Sequence, residues 1–399
     1  MLFSVEFLGC KVSHVDAHGI RERLLADGHV EVPAGVEADV AVVNGCCVTN
    51  EAVAKTRKAA ARAARTTGRV YLTGCAANLP GGTGELPPAV RVVTRAPEET
   101  AAYVAGDVGA IGCVQADARL DRVRAFVRIQ DGCSFSCGFC VIPRVRGASR
   151  SRSAAAVLRE VSRRVGQDHR EVVLTGINLG CFRDRAEGYD LPRLVREAGA
   201  TPGLERLRLS SIEVNHVDAK LVDALRETPT VSRHLHVPLQ SGDDGVLRAM
   251  KRRYVVATYL RRVAPLADEF NLTADVIVGH PAEDDDAFER TLCTVADAGL
   301  SRVHVFPYSP RPGTETAAAD PVPPAVKKER SARLRALSRE LEQRRWRAKL
   351  GSHDTVLVDR PGRGYGDDYS PFLVDAEVGQ LLRVRAERVT EEGIVAAAA

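Results

Sequence analysis

The first hundred residues alternate short apolar runs with longer amphipathic stretches. The runs LFSVEFLG, ADVAVVNG and RVYLTG predict strands, and the stretches HVDAHGIRERLLADG and NEAVAKTRKAAARAART predict helices, the second capped by Asn50. Short apolar strands separated by helices are typical of a parallel α/β sheet. Residues 76–123 are less regular and contain NLPGGTGELPP, which indicates a connection between domains.

The strand-then-helix rhythm returns about six times between residues 124 and 320. The predicted strands are RAFVRIQ, EVVLTGIN, LERLRLSS, HLHVPLQ, LTADVIVG and RVHVFPYS. Six units are too few for a closed eight-stranded barrel, so we predict a partial (β/α)6 barrel. Its active groups should lie at the carboxyl ends of the strands.

The last eighty residues change character twice. A long basic stretch predicts a helix, and the short alternating runs that follow it, joined by turns such as PGRGYGDD, predict a small antiparallel β-barrel. The predicted fold class is therefore α/β with this barrel at its end. The predicted domains are 1–100 (parallel α/β sheet), 101–123 (connection), 124–320 (partial barrel), 321–351 (basic linker helix) and 352–399 (small barrel).

Composition narrows the class of protein. The chain has 399 residues, 45% of them hydrophobic, and a formal charge of +4. It contains no apolar run long enough for a membrane span and no basic amino-terminal segment typical of a signal peptide. We therefore expect a cytoplasmic protein without a membrane partner. In a reducing compartment its ten cysteines indicate metal, redox or core positions rather than disulfides.

Cys133, Cys137 and Cys140 form a C-x3-C-x2-C pattern directly after the first predicted barrel strand. Zinc sites usually pair C-x2-C units or add histidines, and no histidine lies within ten residues of these three cysteines. A four-iron cluster held by three thiolates keeps one iron open. That iron can bind S-adenosylmethionine, the sulfonium cofactor of radical chemistry. The alternative is a set of structural or zinc-binding cysteines.

Cys10, Cys46 and Cys75 each follow a predicted strand of the first domain, in the contexts FLGC, VVNGC and YLTGC. The ends of parallel strands lie along one sheet edge, so these thiols can meet. Buried core cysteines are the alternative. Cys47 should point away from Cys46 along an extended segment. The remaining cysteines are expected to be small buried residues: Cys113, Cys181 and Cys293.

The segment IQDGCSFSCGFCVIPRVRGASRSR resembles the methylthiotransferase family of the radical S-adenosylmethionine superfamily, and the resemblance covers nearly the whole chain. It implies two [4Fe-4S] clusters and S-adenosylmethionine as cofactors. The second cluster would be held by Cys10, Cys46 and Cys75, since the family pattern N-x-C matches Asn44-Gly45-Cys46. In the family, the open iron of that cluster is thought to carry the sulfur.

Polar or glycine residues at the predicted strand ends resemble the family's S-adenosylmethionine pocket, with structural capping as the alternative. They are Gly176, Asn178, Glu213, Gln240 and Ser241. A strand-end carboxylate facing a ligand amine avoids the cost of an unpaired buried charge. The chain departs from the family at three positions. His280 replaces a common Phe, Ala282 a common Gly, and Ser13 a common Asn.

The basic segments point to RNA. Arg144, Arg146, Arg150 and Arg152 follow the cysteine loop, and the basic helix precedes a tail that resembles the TRAM domain of RNA-modifying enzymes. A solvated helix face is the default interpretation of such charge, but beside an RNA-binding barrel it suits a phosphate track. The resemblance implies a tRNA anticodon loop as substrate and an electron donor such as a flavodoxin or ferredoxin.

The sequence resembles most closely the branch of the family that acts on N6-threonylcarbamoyladenosine at tRNA position 37. FLGCKVSHVDAHGI, NGCCVTN and FPYSPRPGT carry this resemblance. The branches that act on isopentenyladenosine and on a ribosomal aspartate are alternatives. The implied reaction cleaves S-adenosylmethionine reductively, activates C2 of the adenine, adds sulfur and methylates it. A different class would be a non-catalytic RNA-binding protein stapled by metal, and another enzyme class would insert sulfur without methylation.

Overall fold

The computed structural model describes residues 1–110, 123–318 and 320–398. They form two compact units. The first takes its described residues from Met1–Arg119, Asp131–Arg150 and Ser309–Ala318, and the second from Leu120–Gln130, Ser151–Tyr308 and Ala319–Ala399. Most of the connection expected at 101–123, including Cys113, lies outside the described residues. The five-domain division stays a prediction.

The amino-terminal part of the first unit is a parallel sheet in the order β2-β1-β3-β4-β5. Its apolar strands are buried between helices, as the sequence predicts. The elements are β1 (Leu2–Phe7), α1 (Lys11–Ala26), β2 (Val30–Glu31), β3 (Val40–Gly45), α2 (Asn50–Ala63), β4 (Val70–Gly74), β5 (Val90–Val92) and α3 (Pro97–Val108).

Two details differ from the sequence prediction. β5 and α3 fall in a segment expected to be irregular. Val104 of α3 and Val93, directly after β5, are buried in the core of the sheet, which anchors this segment. Thr49, not Asn50, caps α2, since its side chain accepts a hydrogen bond from the Ala52 N–H at 3.1 Å.

The central region contains all six predicted strands, in the parallel sets β6-β9-β12 and β13-β14-β15. The Ile212 N–H donates to the His236 carbonyl at 2.9 Å, which links the sets into a partial barrel. One large apolar core lies between its strands and the helices around them. The elements are β6 (Arg124–Arg128), β7 (Gln130–Asp131), α4 (Ile142–Arg146), β8 (Arg150–Ser151), α5 (Ala154–Gly166), β9 (Glu171–Thr175), β10 (Arg183–Asp184), β11 (Tyr189–Asp190), α6 (Leu191–Gly199), β12 (Arg206–Leu209), α7 (Ala219–Glu227), β13 (His234–His236), α8 (Asp244–Ala249), α9 (Val256–Val263), β14 (Asn271–Val278), α10 (Asp285–Asp297) and β15 (Leu300–Pro307).

The tail begins with the long helix predicted from its basic composition, followed by a closed five-stranded barrel in the order β16-β17-β18-β20-β19. Its strands pair antiparallel except β18 with β20, which are parallel. Trp346 of the helix and Phe372 of the barrel share one apolar core. The elements are α11 (Pro324–Ala348), β16 (His353–Arg360), β17 (Arg363–Tyr365), β18 (Pro371–Leu373), β19 (Leu381–Val389) and β20 (Ile394–Ala398).

The tail barrel packs against the amino-terminal end of the central strands. Arg208 donates hydrogen bonds to the Gly366 and Asp367 carbonyls at 2.7 and 2.8 Å, and Asn271 donates to the Asp368 carbonyl at 2.7 Å. Within the second unit, the tail therefore covers the end of the barrel opposite to the strand ends where the S-adenosylmethionine residues are predicted.

Among the described residues, every helix is too short or too polar to cross a lipid bilayer.

Candidate functional site

Three predicted ligand cysteines lie at one edge of the amino-terminal sheet. Cys10 is the N-cap residue of α1, just beyond β1, whereas Cys46 and Cys75 directly follow β3 and β4. The parallel register pairs Gly45 with Gly74, so β3 and β4 end level. The structure therefore brings the three positions to the same edge, as the sequence predicts.

The Cys46 thiol lies among polar and sulfur groups. Its sulfur accepts a hydrogen bond from the Val48 N–H at 3.5 Å. Burial raises the pKa of Cys46 to about 11, and the neighbouring charges of Cys10 and Cys75 add to the rise. Three thiols that interact electrostatically in this way form a natural set of cation ligands, because a bound cation would offset their mutual repulsion.

Cys47 has a different environment. It is fully buried and packs with Leu79, Val141 and Val145. Its thiol shares a hydrogen bond with Cys75, and this bond, together with burial, raises the pKa of Cys47. Within the pair formed with Cys75, Cys47 is thus the thiol that retains its proton. The choice of Cys46 over Cys47 as the ligand stays a prediction.

Arg146 connects the arginine-rich segment to this cysteine set. Its guanidinium lies 3.4 Å from the Cys75 sulfur and forms ion pairs with Asp16 at 2.9 Å and Asp131 at 2.6 Å, all buried. The hydrogen bond from Cys47 lowers the pKa of Cys75 to about 7, against the effect of burial, and the charge of Arg146 lowers it further. The thiolate, which is the form that binds metal, is therefore favoured at Cys75.

The C-x3-C-x2-C loop closes through a tight backbone approach. Gly132 has a φ of +66°, and a Cβ there would lie 2.1 Å from the Ala148 carbonyl oxygen. Beside this close approach, the Cys133 N–H donates to the Gly147 carbonyl at 3.0 Å. Glycine at 132 is therefore required for the loop to close.

The three cysteines of this loop are partly exposed. The Phe135 N–H donates to the Cys133 sulfur at 3.4 Å, and the Cys140 N–H donates to the Cys137 carbonyl at 3.1 Å. Partly exposed thiols with a backbone donor stabilising the sulfur suit an iron–sulfur cluster that stays accessible to a cofactor. Both cysteine sets thus fit the cluster that the sequence predicts for them.

Gly176 and Asn178 lie just beyond β9. A Cβ at Gly176 would come 3.0 Å from Gln130, and the Asn178 N–H donates to the Gln130 side chain at 2.8 Å. The Asn178 side-chain oxygen is buried, and among the described residues it has no hydrogen-bond partner. An unsatisfied buried acceptor is costly, so this atom suits contact with a bound molecule.

The Glu213 carboxylate has hydrogen-bond and ion-pair partners within the second unit. Its carboxylate accepts hydrogen bonds from the Asn215 N–H at 2.9 Å and the Asn215 side chain at 3.1 Å, and Arg252 lies 3.5 Å away. This is the capping arrangement that sequence analysis left open as the alternative. A role in cofactor binding for Glu213 stays a prediction.

Gln240 and Ser241 follow β13. Gln240 has a φ of +68°, uncommon for a residue with a side chain, and its N–H donates to the Asp275 carbonyl at 2.8 Å. The Ser241 hydroxyl is fully buried and accepts from the Asp243 N–H at 3.2 Å. Strained backbone of this kind is common at binding sites, and the roles of both residues stay predictions.

His280, which stands where the family commonly has Phe, lies in the protein interior. His280 is buried edge-on against Tyr308, with 5.4 Å between ring centroids, and its Nδ1 accepts from the Ala282 N–H at 3.2 Å. Burial lowers the pKa of His280 to about 4. The imidazole is therefore neutral and fills the space of the expected Phe.

Sequence analysis missed the role of Asp16 and Asp131 as partners of Arg146. One signal was available, since Asp16 falls on the apolar stripe of α1 together with Val12, Ile20 and Leu24. A charged residue on such a stripe indicates a buried partner of opposite charge.

Of the remaining cysteines, Cys181 is partly buried and lies 3.5 Å from a ring nitrogen of His216. Cys293 is exposed, so its predicted burial is wrong. The reason is helical spacing, because α10 buries positions such as Phe288 and Thr291 while Cys293 falls on the opposite face.

Comparison with known proteins agrees with this arrangement. Residues 127–294 match the radical SAM superfamily and residues 3–92 match the family described as "Uncharacterized protein family UPF0004". The chain is 32% identical to the threonylcarbamoyladenosine tRNA methylthiotransferase MtaB of Thermotoga maritima, over 98% of this chain and 95% of that protein. It is 33% identical to MtaB of Bacillus subtilis, over 84% and 79%. The chain belongs to the radical S-adenosylmethionine methylthiotransferase family.

The fold has solved counterparts. The radical S-adenosylmethionine methyltransferase TsrM from Kitasatospora setae, with cobalamin and a [4Fe-4S] cluster bound, superimposes with a TM-score of 0.56. The match covers 79% of this chain and 76% of that chain at 14% identity, so it concerns the fold alone. Membership of the radical SAM family implies one [4Fe-4S] cluster and S-adenosylmethionine, and the protein is a transferase of sulfur-containing groups.

Proposed function

We propose that this protein adds a methylthio group to C2 of N6-threonylcarbamoyladenosine at position 37 of tRNA. Two relatives that match over nearly their full length are named threonylcarbamoyladenosine tRNA methylthiotransferase. The observation that carries the proposal is the presence of two separate sets of three cysteines within the first unit. A methylthiotransferase needs both an electron-donating cluster and a sulfur source.

The residues take distinct roles in this proposal. When bound, the clusters supply the electron that cleaves S-adenosylmethionine and the sulfur that enters the base. Cys133, Cys137 and Cys140 would hold one cluster, and Cys10, Cys46 and Cys75 would hold the second. The hydrogen bond from Cys47 and the charge of Arg146 favour the thiolate of Cys75, the form that binds iron.

The side-chain oxygen of Asn178, buried without a partner among the described residues, would accept a hydrogen bond from S-adenosylmethionine. Four other predicted strand-end residues complete the contacts with it: Gly176, Glu213, Gln240 and Ser241.

The RNA substrate enters as an anticodon loop, whose unstacked bases can reach a recessed site without opening of a duplex. The tail barrel resembles a TRAM domain, and alternate positions of β19 expose Arg383 and Arg385 to solvent, where they can bind phosphates. A flavodoxin or ferredoxin provides the electron. Because the substrate is tRNA, we place the reaction in the cytoplasm.

Iron analysis tests the cofactor part of the proposal. After anaerobic reconstitution we expect about eight irons per chain, falling to about four in the Cys133/Cys137/Cys140→Ala variant. Cys293→Ala is the matched control, because that exposed thiol has no assigned role, and it should keep about eight. About four irons in the parent protein would remove the second cluster from the proposal.

A further inference from the structure

The last three strands of the central barrel, β13, β14 and β15, carry polar residues on the face turned away from the apolar core. On β14, Leu272, Ala274 and Val276 are fully buried in that core. The alternation of a strand therefore turns Thr273 and Asp275 to the opposite face, towards the inside of the barrel. The other two strands contribute histidines to this same face.

Register places these side chains beside one another. Asp275 of β14 is directly paired with His304 of β15, and Thr273 is directly paired with His236 of β13. One ligand atom from each of His236, Asp275 and His304 lies within 4.8 Å of the other two. The His236 and His304 ring centroids are 5.5 Å apart.

The spacing suits direct coordination. His236 Nε2 lies 3.2 Å from an Asp275 carboxylate oxygen. Two ligands at ~2.0–2.1 Å from a tetrahedral metal ion are separated by ~3.3 Å. These two atoms can therefore bind one ion without a change in backbone position.

Thr273 orients the first histidine. Its hydroxyl lies 2.9 Å from His236 Nδ1 and 3.0 Å from His234 Nε2. A hydroxyl has one proton, so we assign it as donor to His234 and acceptor from the Nδ1–H of His236. That assignment leaves the His236 Nε2 lone pair facing Asp275. Support of the second ring nitrogen in this way is typical of metal-binding histidines.

We propose that His236, Asp275 and His304 bind a divalent cation inside the barrel, at a site separate from both cysteine sets. Two imidazoles and one carboxylate suit Mn²⁺, Fe²⁺ or Zn²⁺, whereas the thiolates select iron–sulfur clusters. Three protein ligands leave at least one position open. His304 is exposed and Asp275 partly exposed, so that position is accessible to an oxygen ligand of a bound substrate.

The competing explanation is a hydrogen-bonded pair without a cation, in which the Nε2–H of His236 donates to Asp275. Both arrangements tolerate the same heavy-atom positions. They differ in whether the protein takes up a metal ion. They also differ in whether His304, which is not part of the hydrogen-bonded pair, contributes to that uptake.

The test is titration of the reconstituted enzyme with Mn²⁺ alone, followed by the room-temperature EPR signal of the free ion. Mn²⁺ avoids thiolates, so it should not compete for the cysteine sets. We expect about one ion bound per chain. Asp275→Asn and His304→Gln should weaken binding at least ~10-fold, and His353→Ala, an exposed histidine of the same unit, should not.

Circular dichroism and iron content establish that each variant is folded and loaded before titration. The proposal is overturned if the parent enzyme takes up no Mn²⁺, or if folded Asp275→Asn and His304→Gln variants bind it as tightly as the parent. Because the readout is metal uptake, it is independent of tRNA modification.

Discussion

Arg146 shows how one side chain of the arginine-rich segment supports the cysteine set at the sheet edge. Its charge is buried between Asp16 and Asp131, within reach of the Cys75 sulfur. Arg146→Met should lower the free energy of unfolding by about 3–5 kcal/mol, because two buried carboxylates lose this counter-charge. Denaturant unfolding under anaerobic conditions measures this change.

The control for that substitution lies on the same short helix. Arg144 is exposed, so Arg144→Met should change the stability by no more than about 0.5 kcal/mol. Equal effects of the two substitutions would show that the buried ion pairs contribute nothing specific.

Two adjacent cysteines provide a sharp test of ligand identity. In the Cys133/Cys137/Cys140→Ala background, Cys46→Ser should remove most of the remaining iron, since the Cys46 sulfur interacts with both Cys10 and Cys75. Cys47→Ser should leave about four irons, because Cys47 is packed among apolar side chains. Iron analysis with the reverse result would assign the ligand to Cys47.

His280 should make the protein sensitive to acid. Burial lowers the pKa of His280 to about 4 from its usual value of 6.5. As the pH falls from 6.5 towards 4, the unfolded chain binds a proton that the folded chain does not. The contribution of His280 to the free energy of unfolding is therefore fully present above pH 6.5. It decreases below that pH, by up to about 3 kcal/mol.

Substitution of that histidine tests the assignment. His280→Phe should remove this part of the decrease when unfolding free energies at pH 7 and pH 5 are compared, whereas His353→Ala at an exposed position should retain it. An unchanged pH dependence in His280→Phe would mean that His280 is protonated normally in the folded state.

At the level of elements, the sequence predicts the long apolar strands better than the very short ones. The apolar run of β3 is buried because helices cover both faces of its sheet. In β14 the buried apolar residues Leu272, Ala274 and Val276 alternate with other residues, and this period is visible in the sequence. β5 and β17 are three residues long, too short for a period to show. Their formation depends on partners distant in the chain, which no local pattern contains.

The same distinction holds for the candidate site. The spacing of Cys133, Cys137 and Cys140, and the position of Cys10, Cys46 and Cys75 after strands, are local signals. The pairing of Arg146 with Asp16 joins residues 130 positions apart and is set by packing. Sequence analysis could identify a buried charge on α1 but not its partner.

Glu171 is the counter-charge at the amino-terminal end of the central strands. It is fully buried and lies within 3.4 Å of Arg124, Arg206 and Arg208. Burial alone would raise the pKa of Glu171, but the three guanidinium groups outweigh it and lower the pKa to about 2. Glu171→Gln should therefore cost about 3–5 kcal/mol of unfolding free energy at pH 7.

The pH dependence of that cost is the check. The contribution of Glu171 is present above pH 4.5 and is lost as the pH falls towards 2, so the parent protein and Glu171→Gln should converge in acid. Glu205→Gln, at an exposed ion pair with Arg170, is the control and should have little effect at any pH. A constant difference between pH 7 and pH 3 would contradict the assigned charge.

For the molecule as a whole, ion pairs of the long basic helix α11 change which charges can bind RNA. The sequence suggests a basic track for phosphates, but some basic groups of α11 form ion pairs within the second unit. Arg330 pairs with Glu283 at 2.7 Å, and Arg333 pairs with Glu289 at 2.7 Å. The charges left for RNA are the exposed ones, such as Arg335, Arg339 and the arginines of β19.

Transfer of a methylthio group to threonylcarbamoyladenosine in tRNA is the activity expected of this family member. The most direct measurement is mass analysis of tRNA nucleosides from a strain that lacks its own enzyme of this kind and carries either the parent gene, Cys137→Ala or Cys293→Ala. We expect the methylthio derivative of N6-threonylcarbamoyladenosine with the parent and with Cys293→Ala, and only the precursor without the methylthio group with Cys137→Ala. Methylthiolation of isopentenyladenosine instead, or persistence of the product with Cys137→Ala, would contradict it.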